Sequence, residues 1–299
     1  MKKPFFSVII PSYNHGNYIE ESINSVLKQT FKKYEIIVID NYSNDNTKNI
    51  LHKYKNKIIY KRIHNLGIIA KSRNLGIRVS KGKWICFLDS DDAWFPDKLK
   101  IVYKQIIEKK AQVICNNEII IKGFSKYYYR YGPFKDFFYE DLILNGNCIS
   151  TSGSCVDKNF ILKKRIKFIE KKEFNTVEDY DFFLNLAYFN AKFIFLNKFL
   201  GKRNIHSISN SANYKLHRNS LLNLLKYHIY NIQNFEKKSK LLLMINFRIK
   251  FMDLINCIKK KYYVNAFKLL IYLIRSSILD FIILFTKQII KSIKSRIYY

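Results

Sequence analysis

The sequence predicts an α/β fold, a mainly parallel sheet flanked by helices, followed by an α-helical C-terminal extension. Three observations lead there. Apolar runs of strand length alternate with helix-periodic segments through the first 120 residues. Three of those runs stop at polar clusters, as strands of an open parallel sheet do at their carboxyl ends. Beyond about residue 215 the chain contains neither Gly nor Pro and reads as helix throughout.

Taken in order, Phe5-Phe6-Ser7-Val8-Ile9-Ile10 is an apolar run closed by Pro11, the pattern of a buried parallel strand. Ile19, Ile23, Val26 and Leu27 recur on one helical face. Glu35-Ile36-Ile37-Val38-Ile39 is a second strand, ended by the polar stretch Asp40 to Thr47, after which a short helix covers 47–54 and a strand 58–60. Trp84-Ile85-Cys86-Phe87-Leu88 is a further strand that runs into Asp89-Ser90-Asp91-Asp92. Past Pro96, Leu99, Val102, Tyr103 and Ile106 mark another helix. Short strands are expected at 119–121 and 193–196, and a helix from Asp179 that buries Phe182, Phe183, Leu186 and Ala187. A domain boundary falls within Asn210–Asn219, giving 1–212 and 213–299.

At 299 residues, with 48% hydrophobic and 25% charged, the chain suits one large domain with an appendage and excludes disordered and collagen-like classes. Lys and Arg number 53 against 23 acidic residues, a net charge of +30. That excess fits an anionic partner, whether nucleic acid, membrane or phosphorylated substrate. It equally fits lysine accumulated on solvated faces in an AT-rich genome, since Gly numbers 9 and Pro 4. Five cysteines without a C-x-x-C pair give no disulfide framework or zinc motif, and Cys86 reads as a small buried hydrophobe. Met1-Lys2-Lys3-Pro4 leads straight into a strand, so no signal peptide is expected, and the protein is placed in the cytoplasm, peripheral on the inner face of the membrane.

The polar clusters Pro11-Ser12-Tyr13-Asn14, Asp40-Asn41 and Asp89-Ser90-Asp91 all sit at strand carboxyl ends and converge on one sheet edge. Alternation sends Asp89 and Asp91 to the same side, where the two carboxylates can share a hard divalent cation. A polar loop with a helix-capping Asp is the other reading of that segment taken alone.

In order along the chain, 7–14 (Ser-Val-Ile-Ile-Pro-Ser-Tyr-Asn), 22–30, 39–47 (Ile-Asp-Asn-Tyr-Ser-Asn-Asp-Asn-Thr), 72–76, 80–84, 87–92 and Glu178-Asp179-Tyr180-Asp181 resemble the motifs of family 2 glycosyltransferases. The resemblance covers residues 5 to 210 and implies a GT-A fold, with a nucleotide-binding half over about 1–115 and an acceptor half over about 116–212. It implies a nucleotide-sugar donor, usually a UDP-sugar, with Pro11, Ser12, Tyr13, Asp40 and Asn41 at the nucleoside and Arg73 at the base or diphosphate. Asp89 would approach the ribose, Ser90 would belong to the nucleotide-sugar site, Asp91 would be the main Mn²⁺ or Mg²⁺ ligand with Asp89, and Asp179 the catalytic base with Glu178 beside it. Arg203 and His206 resemble an R-x-x-H segment that contacts the diphosphate or completes the metal shell. Ser152-Gly153-Ser154 lies where relatives contact sugar or acceptor. The implied reaction is inverting: the base takes a proton from an acceptor hydroxyl, which attacks the anomeric carbon in one displacement, while the metal neutralises the departing diphosphate. A carboxylate opening a helix is favoured by the helix dipole, so capping and catalysis at Glu178-Asp179 are compatible.

Two positions depart from the pattern. The second Asp of the D-D loop is Asn41 and the following Gly is Tyr42, which leaves UDP an inference from the rest of the motif. No Q-x-x-R-W motif occurs, which favours transfer of one sugar over processive synthesis.

From Glu236 to Tyr299, 14 basic residues face 3 acidic ones. The apolar runs 269–274 and 281–285 fall short of the ~20 residues a bilayer-spanning helix needs, and between 266 and 290 they are broken by Lys268, Arg275 and Asp280. Amphipathic helices in an anionic membrane interface fit this region. Packing on the catalytic domain or a second subunit, and one weakly inserted span, are the alternatives. The expected acceptor is a hydroxyl of a cell-surface glycan or a lipid-linked saccharide. A polyprenyl-phosphate glycosyltransferase is the alternative enzyme. A basic nucleic-acid-binding protein is the remote one, and with no recognised nucleic-acid motif no nucleic-acid partner is expected.

Overall fold

A computed structural model describes residues 3–132, 138–205, 213–232 and 238–294. Strands β1 (Phe6–Ser12), β2 (Tyr34–Asp40), β3 (Ile59–Arg62) and β4 (Trp84–Phe87) form the predicted parallel half, in the order β3-β2-β1-β4. β1 continues through Pro11 rather than stopping there. Ile9 is bonded towards β4, its carbonyl accepting from Leu88 N at 3.0 Å, and Pro11 faces the same way two residues on, where β4 has already ended. The missing N–H therefore breaks no ladder bond.

Helices α1 (Ile19–Leu27) and α2 (Thr47–Lys53) lie where the periodicity puts them. α3 (Ile69–Val79) escapes a hydrophobic scan because much of its inner face is polar: Ser72, Arg73 and Asn74 are buried beside Ala70 and Ile77. Asn74 is anchored there by the Phe168 backbone, donating to its carbonyl at 2.8 Å and accepting from its N–H at 3.0 Å.

The second half of the sheet is mixed rather than parallel. It comprises β5 (Ala93–Trp94), β6 (Val113–Lys122), β7 (Ser125–Tyr129), β8 (Ser154–Asp157) and β9 (Phe193–Asn204), with α4 (Lys98–Lys109), α5 (Phe138–Asn145), α6 (Lys158–Lys163) and α7 (Glu178–Tyr188) between them. β8 runs antiparallel between β4 and β6, β9 lies parallel to β6, and β5 and β7 are antiparallel additions. The two-residue connection from Lys122 to Ser125 permits only an antiparallel hairpin.

The C-terminal region is helical as expected: α8 (Tyr214–Tyr227), a π-helical turn at His228–Ile232, α9 (Lys238–Lys259), α10 (Tyr263–Ser276) and α11 (Ile278–Lys294). The core does not stop at residue 212. Leu221, Leu224, Leu225, Ile229, Ile245 and Ile249 belong to the same buried cluster as Ile9, Phe87, Val113 and Phe182. A smaller cluster, centred on Phe251, Leu254, Ala266 and Leu273, joins the later helices to one another. Packing against the α/β body thus describes α8 and the first half of α9, while α10 and α11 stand outside the main core.

Candidate active site

Three loops leave the carboxyl ends of β1, β2 and β4, and polar side chains tie them together. His15 N donates to Thr47 Oγ1 at 3.1 Å and Asn14 N to Ser43 Oγ at 2.9 Å, while His15 Nδ1 lies 2.6 Å from Ser90 Oγ. Asn14 and Tyr42 both adopt a left-handed backbone, at φ 51°. For Tyr42, which stands where the family motif has Gly, that conformation is sterically costly. Its ring is held by contacts: His64 stacks on it at 3.7 Å and the Arg62 guanidinium lies 4.1 Å from its centroid. At those distances the two groups cannot share one face, so they clamp the ring from both sides.

Several residues expected at the nucleotide turn inward instead. Asp40 is fully buried, and its carboxylate already accepts from Ser43 N and Oγ, Tyr60 OH and Arg62 Nε. Burial and this carboxylate push the Tyr60 hydroxyl up to about 12. Asp40 therefore shapes its loop and offers no free oxygen to a base. Ser90 is buried too, its hydroxyl against His15 and its carbonyl accepting from Ser22 Oγ at 2.8 Å. Asn41 Oδ1 accepts from Asn65 N at 2.9 Å. Pro11 is buried within β1, and Ser12 is buried beside it, whereas Tyr13 is exposed. His206 lies outside the described residues.

Arg73 joins the two halves of the site. Its Nη1 donates to Glu178 Oε1 at 2.6 Å and its Nη2 to Asp89 Oδ1 at 2.9 Å, bridging the end of β4 to the start of α7. Burial opposes its charge, but Asp89, Glu178 and Asp179 hold its pKa above the ordinary value. Burial raises the Glu178 carboxyl, with Arg73 opposing and Asp179 adding to the rise. Glu178 is thus occupied in holding Arg73, and partly exposed Asp179 is the member of the pair that Arg73 does not bind. Among the described residues, the buried side-chain atoms without a hydrogen-bond partner are Ser12 Oγ, Arg73 Nε and Glu178 Oε2. Such atoms are rare in folded proteins. All belong to residues that the motifs assign to this one region.

An acidic cluster occupies the end of β4. Asp92 is buried, accepting from Ser152 Oγ at 2.6 Å and from Asn204 N at 3.0 Å. Its pKa is raised well above the ordinary value by burial and then by Asp91, Asp89 and Glu118. Arg203, half-buried on β9, faces the same charges: burial opposes its cation, while Tyr131, Asp92, Glu118 and Asp89 favour it. Asp91 remains partly exposed.

Ser152 organises this region. It accepts from Asp89 N at 3.0 Å, and its carbonyl receives Trp94 Nε1 at 2.9 Å and Lys98 Nζ at 2.8 Å. Lys98 is fully buried, donates also to Asn116 Oδ1 at 2.8 Å, and has its pKa lowered by that burial. Neither Lys98 nor buried Glu118, bonded to Tyr131 OH at 2.9 Å, stands out in the sequence. Glu118 at least stands as a lone charge against the apolar run Ile119-Ile120-Ile121, whereas Lys98, between Asp97 and Lys100, offers no such signal.

On the α7 side, Asp179 Oδ2 accepts from Thr151 Oγ1 at 3.2 Å. Just before it, Thr176 takes φ 78°, a strained backbone for a β-branched residue. Its hydroxyl lies 3.1 Å from Nδ1 of His217 on α8. Burial lowers the His217 pKa below 6.5, with Asp179 pulling the other way. As pH falls below 6.5 the unfolded chain takes up this proton first, so the native state loses stability over that range. His217→Gln, which keeps a polar partner for Thr176, is expected to flatten the acid limb of the Tm-versus-pH curve. An unchanged slope would remove His217 from that account.

Residues 7–166 match the profile described as Glycosyl transferase family 2. The chain is 31% identical over 175 residues to the glycosyltransferase GlyG of Streptococcus pneumoniae, covering 57% of this chain and 58% of that protein, so it spans little more than half of GlyG's length. It is 32% identical over 228 residues to an uncharacterized glycosyltransferase of Methanocaldococcus jannaschii, covering 72% of this chain and 74% of that one. Its structure is similar to that of residues 1–349 of Staphylococcus aureus TarS in complex with UDP, with TM-score 0.60 and 27% identity over 82% of this chain and 71% of that one. TarS is named a poly(ribitol-phosphate) β-N-acetylglucosaminyltransferase.

Proposed function

The chain belongs to glycosyl transferase family 2, a GT-A-fold enzyme of the glycosyltransferase class, and from that premise we propose that it transfers a single sugar from a UDP-sugar, with inversion, to a hydroxyl of a cell-surface glycan or lipid-linked saccharide. The observation that carries the reading is the trio of buried, unpartnered atoms on Ser12, Arg73 and Glu178 at the sheet edge. A polar donor entering between β1 and α7 supplies what those atoms lack. The bound UDP of TarS supports the same nucleotide here.

In this reading Tyr13 and Ser12 line the nucleoside pocket, and Arg73 and Arg203 face the diphosphate with their charge held in place by neighbouring carboxylates. Glu178 fixes Arg73. Asp179 accepts the proton of the acceptor hydroxyl as that oxygen attacks the anomeric carbon and the bond to the diphosphate breaks. Its place in the first turn of α7 lets the helix N-terminus favour the carboxylate before transfer. Residues from about 1 to 115, joined by Arg203, hold the donor, and the rest of the half from about 116 to 212 holds the acceptor.

The oxygen-only, negatively charged donor set at the end of β4 fits Mn²⁺ or Mg²⁺. Asp91 would hold the ion, with Asp89 beside it. No group of three metal-ligating side chains occurs among the described residues, which leave out His206; a hard divalent ion keeps positions for donor phosphates and water. The ion, when bound, supplies neutralising charge to the departing diphosphate.

The enzyme acts at the cytoplasmic face of the membrane as a peripheral protein. No helix among the described residues is long and apolar enough to cross a bilayer. Incubation with a panel of UDP-sugars and glycan acceptors, with Mn²⁺ or chelator, tests the reaction. Metal-dependent UDP release and an inverted anomeric centre by NMR are expected. Retained configuration, or turnover indifferent to chelator, would overturn the mechanism.

A further inference from the structure

α10 and α11 pack inward through Ala266, Leu273, Phe281 and Leu284 onto Phe251 and Leu254 of α9. Their other side is also apolar. Val264, Phe267, Ile271 and Ile274 recur at helical spacing along α10, and Ile278, Ile282, Phe285 and Ile289 along α11, all exposed. Val264 and Leu279 each keep 71% of their surface open. A helix of a soluble domain normally turns one such stripe inward and a polar face outward. Two successive helices with apolar residues on both sides mark a surface built to be covered.

The charge beside those stripes selects what covers them. Exposed Lys259, Lys260 and Lys261 lead directly into exposed Tyr262 and Tyr263 at the start of α10. Lys268 and Arg275 follow Val264 and Ile271 by one helical turn, on the border of the stripe. From Lys259 to Lys294 the sequence has eight basic residues against one acidic, Asp280. Bringing two copies of this face together would set those cations against each other. An anionic lipid surface offers apolar depth and negative charge at the same boundary. At 14 and 17 residues, α10 and α11 are shorter than the ~20 residues needed to span the hydrocarbon core, so they lie along it.

We propose that the outer face of α10 and α11 docks on an anionic phospholipid surface, with the stripes inserted and Lys259–Lys261, Lys268 and Arg275 at the headgroups. The proposal rests on the peripheral location given above and names the surface responsible. It does not depend on the identity of the sugar.

Flotation of the full chain with phosphatidylcholine vesicles, alone or mixed equally with phosphatidylglycerol, tests it. Wild type is expected to float with the anionic vesicles only, and less so in high salt. The combined variant Phe267→Glu, Ile271→Glu, Ile282→Glu changes only exposed positions and is expected to lower partitioning roughly ten-fold or more, with UDP binding and Tm unchanged. Phe124→Glu, an equally exposed aromatic on the β6–β7 turn, should have no effect. If the combined variant floats like wild type, the peripheral location stands and this face is the wrong one. If wild type binds no vesicle, both ideas fall. A wild-type dimer that the same substitutions dissolve, without vesicle binding, would give the face to a second copy and overturn the proposal.

Discussion

Asp179→Asn is expected to bind UDP as tightly as wild type and to turn over about 10²- to 10⁴-fold more slowly, the range that a positioned general base supplies. The amide keeps the size of the side chain and can still meet Thr151 Oγ1 and the Tyr180 N–H, the two groups that orient the carboxylate. Arg73 retains both direct partners, Asp89 and Glu178, so the donor side is left intact. What the amide lacks is a basic oxygen. Single-turnover kinetics beside UDP calorimetry separate the two effects, and turnover within a few-fold of wild type would move the base to another residue.

Asp91→Asn acts on the opposite term. Turnover is expected to fall roughly 100-fold or more, the scale of the charge stabilisation a metal gives a departing diphosphate. The metal-free protein should be no less stable than wild type. Asp91 heads the charges that push the buried Asp92 carboxyl upward, and removing it relieves that repulsion. A Tm equal to or above wild type with lost turnover is the signature of a group that serves the reaction at the expense of the fold. A lowered Tm with metal-dependent turnover intact would assign Asp91 a structural role.

Much of this architecture is legible in the sequence because strands buried on both faces are written as apolar runs. The ends of β2 and β4, and with them Asp89 and Asp91, can be placed that way, while β1 runs two residues past its apolar run to Ser12. The start of α7 follows from Glu178-Asp179 opening an apolar periodicity. α3 is hidden because its buried face is made of Ser72, Arg73 and Asn74, whose partners lie up to 105 residues away. The direction of a side chain is equally invisible when both directions are polar. Asp40 and Ser90 look like ligand contacts in a motif, yet one is saturated by Ser43, Tyr60 and Arg62, and the other is taken by His15. Thr176, His217 and Lys98 carry no local signal, because their roles arise only when α8 and the Ser152 loop meet the sheet edge.

That a nucleoside diphosphate binds between β1 and α7 with a metal at Asp91 is tested most directly by titrating UDP into the full chain by calorimetry, with Mn²⁺ and then with chelator. One site per chain is expected, tight with Mn²⁺ and much weaker without it. Folded protein that takes up no UDP in either buffer, or takes it up equally in both, would contradict the account.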